Sequence, residues 1–266
     1  MRRLLVLGLV LVGLSTGGFV VPATARTTDQ SDLWWIPSES GWGIQFVEQE
    51  TTIFATMFVY GSNGQPTWYT ATMSKVSGAL TWTGALYITS GPYFAVTPFD
   101  TNLVTVTPVG TMTLDAPLIN SATLTYSVNG VTVTKQIQRQ TLTTLNFTGT
   151  YSGMFSQKSS GLPCSPATDT PGTPATFIIN QNGAAATIVV QSLMASCTFT
   201  GNYTQAGHFG RIAGSYTCTT GDAGTFAFFE MAVSWYDFRA RTQLTSQSGC
   251  TLQGFANGLK QPPPTQ

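Results

Sequence analysis

The chain reads as all-β, with two consecutive antiparallel meander domains of about eight strands each, closed as up-and-down barrels or packed as sandwiches. Three observations predict this. Short runs rich in Thr, Val, Ile, Phe, Tyr and Trp recur along the chain, broken by Gly, Asn, Ser and Pro, which is the pattern of successive antiparallel strands. No convincing amphipathic helical spacing is found beyond residue 25. The runs fall into two sets that meet near 141–146, and barrels and sandwiches both dispose of exposed strand edges.

The elements follow in order. "MRRLLVLGLVLVGLSTGGFVVPATA" combines two arginines, an apolar stretch and a small-x-small ending, so residues 1–25 are expected to be a cleaved secretory signal peptide. Its rival, a retained anchor, is weakened by the Gly, Ser and Thr that dilute the stretch. In the N-terminal domain, 30–143, strands are expected near 42–48, 52–60, 66–74, 80–88, 102–107, 110–116, 121–128 and 131–139. In "DLWWIPSESGWGIQF" (32–46), Trp34 and Trp35 precede Pro37 in a segment read as non-strand. Trp42, Ile44 and Phe46 then alternate with Gly43, Gln45 and Val47, which places Trp42 in the core. Asn63-Gly64 is a hairpin signal, and a tight turn there sets Phe58 opposite Tyr69 and Val59 opposite Trp68.

In the C-terminal domain, 146–260, strands are expected near 148–155, 175–181, 184–191, 195–204, 209–219, 224–233, 237–244 and 249–256, followed by a loose tail, 261–266. "CTFTGNYTQAGHFGRIAGSYTC" (197–218) folds about Gly207-His208 so that Cys197 faces Cys218, Phe199 faces Tyr216, Gly201 faces Gly214 and Tyr203 faces Ile212. Thr198, Thr200 and Thr204 then meet Thr217, Ser215 and Arg211 on the other face, the separation a correct register requires. All four cysteines lie in this half, behind a signal peptide, and read as two disulfides made in an oxidising compartment. The register predicts Cys197–Cys218, and Cys164–Cys250 follows by elimination. The next hairpin, folded about Trp235-Tyr236, sets Glu230 opposite Arg241, with Phe229, Met231 and Val233 beside Phe238 and Ala240. The Glu230–Arg241 pair is either a solvent-face ion pair or a charged pair inside a barrel, facing a polar ligand.

Composition removes several function classes. Charged residues are only 8% of the chain, and without Arg2 and Arg3 there remain 9 basic against 11 acidic side chains. With no basic run, nucleic acid is not expected as a partner. The one histidine, His208, sits at a hairpin tip, too little for the common zinc sites, and neither a metal nor a cofactor is expected. "GLSTG" (13–17) matches a nucleophile pattern but falls inside the signal peptide. A glycosidase needs two carboxylates, from Glu39, Glu48, Glu50, Glu230 and Asp237. Glu39 is the best acid, since tryptophans surround it and an apolar setting raises a carboxyl pKa. No second carboxylate stands at a known separation, so no catalytic residue is assigned beyond this alternative.

The aromatic residues are the strongest positive signal. Trp34, Trp35, Trp42, Trp68, Tyr69 and Trp82 cluster within the first domain, where rings stack on sugars, enclose apolar ligands or fill a core. Trp34, Trp35, Trp68 and Tyr69 are the candidates for ligand contact, with Trp34 and Trp35 equally placed to plug a barrel end.

"DLWWIPSESGWG", followed by "FATMFVYGSNGQPTWYTATM", resembles the W-x-P-x-E-S-G-W-G, FATxFxY and G-x-P-x-W-Y pattern of uncharacterised secreted β-rich proteins of proteobacteria. The resemblance covers 32–73 well and the second half more loosely, through "GCTLQG" (249–254). It implies a bacterial, exported β protein and brings no activity or site. The first expectation is therefore a secreted or periplasmic, non-catalytic protein that binds a small molecule or glycan through N-terminal aromatics. The alternatives are a hydrolase of extracellular polymers and an interaction module of the cell envelope with a protein partner.

Overall fold

The computed structural model describes residues 28–159, Cys164 and 170–262. The expected signal peptide and residues 263–266 of the expected tail lie outside the described residues. The first eight strands are β1 (Asp32–Trp35), β2 (Gly43–Gln49), β3 (Thr52–Tyr60), β4 (Pro66–Lys75), β5 (Thr81–Ser90), β6 (Thr105–Asp115), β7 (Ser121–Val128) and β8 (Val131–Arg139). Each pairs antiparallel with the next, and β1 closes the barrel on β8 by setting Trp34 against Arg139 and Trp35 against Gln138. Of the two architectures the sequence left open, the structure has the closed barrel.

Three expectations are corrected here. "DLWW" is a strand, not a loop, and it is the closing one; at four residues before a proline it is too short to show alternation. The two strands expected at 102–107 and 110–116 are one, β6. Pro108 sits where the register against β5 shifts, between Leu86↔Gly110 and Tyr87↔Pro108, and a bulge is where a strand accepts a residue without an N–H. The Asn63-Gly64 turn is not tight. Gly61 donates its N–H to the Gln65 carbonyl, so the pairs are Phe58↔Trp68 and Met57↔Tyr69, one residue away from the expected register.

The second barrel comprises β9 (Gly149–Ser159), β10 (Thr170–Asn182), β11 (Ala185–Gln191), β12 (Ser196–Ala206), β13 (Phe209–Cys218), β14 (Ala223–Val233), β15 (Asp237–Ser246) and β16 (Thr251–Lys260), closed by β9 pairing with both β10 and β16. The β12–β13 register is the expected one, from Cys197↔Cys218 to Ala206↔Phe209. Both disulfides, Cys197–Cys218 and Cys164–Cys250, are formed. Phe199, Tyr203, Ile212 and Tyr216 face inward with Phe226, Phe228, Phe238 and Tyr151. Next to its turn the β14–β15 hairpin has the expected register, Val233↔Phe238 and Ala232↔Arg239, with Met231, Phe238 and Ala240 inward; beyond that it departs from expectation. Its register runs Phe229↔Arg241 and then Ala232↔Arg239, with a bulge at Glu230, whose φ is 49°. The extra residue flips the faces: Phe226, Phe228 and Met231 point in, and Phe229 points out onto the Arg241 guanidinium, 5.1 Å from its ring.

The barrels touch at the Gly207-His208 turn. Asp32 Oδ2 accepts hydrogen bonds from Arg139 Nη1 at 3.1 Å and from the His208 backbone N–H at 3.1 Å, and lies 2.8 Å from His208 Nδ1. Gly207 has φ of +59°, and a Cβ there would overlap the Asp32 carboxylate, so this turn needs glycine twice over. Burial pushes the Asp32 carboxyl up, but His208 and Arg139 outweigh it and hold its pKa below the ordinary value.

Candidate functional site

The aromatic candidates do not converge on one site. Trp34 is fully buried in the first barrel, donating its indole N–H to the Gln30 carbonyl and lying under Arg139, whose guanidinium carbon is 4.6 Å from its ring. Of its two expected roles, it takes the plug. Trp35, next to it on a short strand, is half-buried on the opposite face. Trp68 is 51% exposed on the outer wall across from Phe58, which is 42% exposed. Tyr69 points the other way, packed against the core. Trp68 and Tyr69 therefore cannot grip one molecule together.

Glu39 and Trp42 belong to the chain that crosses one end of this barrel. Glu39 Oε2 accepts from Lys135 Nζ at 2.5 Å and from Trp42 Nε1 at 2.9 Å, and the ammonium sits 5.2 Å from the Trp42 ring. Lys135 faces the barrel interior, since it pairs with buried Leu124. The segment is a strap latched across the mouth by an ion pair. The hydrogen bond from Lys135 and then that from Trp42 hold the Glu39 carboxyl below its ordinary pKa, opposite to the shift that a general acid needs. The apolar setting expected to raise it counts for little at an exposed carboxylate, and those two hydrogen bonds outweigh it. Among the other carboxylates, Glu48 is pushed up by burial although it accepts the Gln30 N–H at 2.6 Å.

Glu230 and Arg241 do pair, at 3.2 Å, on the outer wall of the second barrel, where Thr28 Oγ1 also reaches Glu230 Oε1 at 2.5 Å. This is the solvent-face alternative, and it lines a shallow groove of about 310 Å³ with Asp29 and Arg239.

A true concavity lies inside the second barrel, at the end remote from the Gly207 turn. It measures about 590 Å³, and its walls include Phe155, Ala175, Val190, Phe199, Leu244 and Leu252. The Cys197–Cys218 pair stands in its wall, and Met194, Thr220 and Asp222 form its exposed rim. Phe199 and Tyr216 stack at 5.4 Å in the wall. Tyr216 donates its hydroxyl to Asp222 Oδ2 at 2.9 Å, and burial first, then Asp222, raise its pKa strongly.

Of the Gln, Thr, Ser and Asp side chains lining this cup among the described residues, Gln157 is the buried one. Gln157 is 3% exposed; its Nε2 donates to Thr242 Oγ1 at 2.7 Å, and its Oε1 is buried with no hydrogen-bond partner among the described residues. Gly254 faces Gln157 on one side and Thr242 on the other, so the absent side chain leaves the path along which the amide crosses between strands. Sequence reading missed this pair. The signal was there: Tyr151, Gly153, Phe155 and Gln157 alternate on one face, as do Phe238, Ala240, Thr242 and Leu244, so each polar residue interrupts an apolar inward row.

No protein-family model and no curated protein matches the chain. Among the described residues there is no cluster of three His, Cys, Asp or Glu fit for a metal ion, and no helix long and apolar enough to cross a membrane.

Proposed function

We propose that this chain is an exported, non-catalytic binding protein that takes one small, largely apolar molecule into the cup of its C-terminal barrel. The observation that carries this reading is the cup itself: about 590 Å³ of mostly apolar, disulfide-braced space inside an eight-stranded barrel. That is the size of site that holds a small ligand, and a closed barrel of eight strands is just wide enough for one. The signal-peptide pattern and the two disulfides support export to an oxidising compartment. In the N-terminal barrel the inward aromatics are engaged by the protein's own strap and core, which moves the proposed contact away from Trp34 and Tyr69.

The test is titration of the disulfide-bonded protein with the neutral dye N-phenyl-1-naphthylamine. Its fluorescence should rise saturably, and Ala175→Phe, which fills the cup, should weaken binding by about tenfold or more. Trp68→Ser, on the outer wall, should leave it unchanged. Absence of saturable binding to the unmodified protein would refute the reading. The exposed outer strip of Val47, Phe54, Phe58 and Trp68 supports the second reading, an interaction module. That reading gains if Trp68→Ser, and not Ala175→Phe, removes binding.

A further inference from the structure

Taking the cup as the binding site, we infer that its ligand is a neutral molecule that presents a hydroxyl or N–H donor from an apolar ring or chain, and that this donor is received by Gln157 Oε1. Four observations combine. Gln157 Oε1 is an acceptor with no partner among the described residues, in a side chain only 3% exposed that lines the cavity. A buried unpaired acceptor is unfavourable unless something donates to it. The amide's other end is engaged, since Nε2 donates to Thr242 Oγ1 at 2.7 Å, and Thr242 is itself 1% exposed. Gln157 lines the cup together with Phe155 and Leu252.

Charge selects further. Among the described lining residues the rim residue Asp222 is the one Asp, Glu, Lys, Arg or His. A carboxylate or phosphate on the ligand would lose its water with no counter-charge in return, so anions are rejected. A cation driven down to Gln157 would meet a neutral amide in apolar surroundings, which disfavours it too.

The experiment uses a matched series of naphthalenes with the disulfide-bonded protein, followed by calorimetry: naphthalene, 2-naphthol, 2-methoxynaphthalene, 2-acetonaphthone and 2-naphthoate. The hydroxyl compound should bind more tightly than the methoxy compound by at least about fivefold. The naphthoate should be the weakest. In Gln157→Met the hydroxyl advantage should vanish while naphthalene binding is kept, and Thr242→Val, which frees the amide to turn, should reduce the same advantage. Equal binding of 2-naphthol and 2-methoxynaphthalene to the unmodified protein overturns the inference, and that comparison needs no variant to fold. Preference for the acceptor-only ketone, 2-acetonaphthone, also overturns it, because the amide would then present its N–H. In either case naphthalene binding leaves the cup standing as a site. Failure of the whole series, together with the dye, refutes the cup itself.

Discussion

Replacing Arg139 by Met should cost about 3–5 kcal/mol of stability, the usual loss when one partner of a buried ion pair is removed. The side chain is fully buried at the end of the last strand of the first barrel. Its guanidinium donates to the Ile119 carbonyl at 2.6 Å, the Asp29 carbonyl at 2.6 Å, Asp32 Oδ2 at 3.1 Å, Gln30 Oε1 at 3.2 Å and the Ser31 carbonyl at 3.4 Å. It also lies on the rings of Trp34 and Phe209, at 4.6 and 5.1 Å. Met fills much of the same volume, so the cost isolates the polar role rather than a cavity. It leaves a half-buried carboxylate, three backbone carbonyls and the Gln30 amide oxygen without their donor, while His208 keeps part of Asp32 satisfied. Arg139→Lys should cost less than Met, because it keeps the charge but loses the fork that reaches five acceptors. Urea unfolding followed by tryptophan emission reads this directly, since five of the six tryptophans lie in the first barrel. A loss below about 1 kcal/mol for Met, or equal losses for Met and Lys, would refute the assignment of Arg139 as a charged hub.

Serine at both Cys197 and Cys218 should cost about 3 kcal/mol in thermal or urea unfolding, the chain-entropy value for a bond that closes across 21 residues. Iodide should quench Trp68 and Trp235, which are 51% and 91% exposed, and spare Trp34 and Trp82, which are buried; strong residual quenching in a variant with Trp35, Trp42, Trp68 and Trp235 all replaced by Phe would contradict this burial. Asp32→Asn should destabilise the protein by an amount that is constant above about pH 5 and shrinks as pH falls through and below the ordinary carboxyl value of 3.8, because a lowered folded pKa gives stability that protonation removes. A gap that widens on acidification would reverse the sign of that linkage.

Most of the fold was legible because alternation is a strong code where one face is buried. The register of the 197–218 hairpin, and with it a disulfide, follows from apolar pairs alone. Three of the errors share a cause: each involves one residue of slippage that pattern cannot count. A loop bridged from Gly61 to Gln65 instead of a tight turn moved Trp68 to the outside with Phe58. A bulge at Glu230 moved Phe229 out. A proline tolerated at a second bulge joined two expected strands. The proposed site was less legible, because tryptophan content pointed to the N-terminal barrel and cannot distinguish a ring that fills a core from one that receives a ligand.

What decides between those roles is the size of the inward side chains layer by layer, in barrels with the same strand number. In the first barrel, Trp34 on β1 and Trp82 on β5 enter from opposite walls, four strands apart, and Met57, Met73 and Met112 fill the gaps between. Two indoles in one interior leave little room for anything else, since an eight-stranded barrel is just wide enough for its own side chains. In the second barrel the large rings Phe155, Phe177, Phe199 and Phe238 meet edge to face, Phe228 lies tilted against Phe155 and Phe199, and toward the far end the wall includes the smaller Ala175 and Val190. The space is thus a consequence of small residues at inward positions, not of aromatic content. A core selected only for stability would place larger apolar groups at Ala175 and an apolar side chain at Gln157, removing both the void and the unpaired acceptor. Keeping both at one end of the barrel, behind a disulfide, is the arrangement expected of a site that a ligand completes.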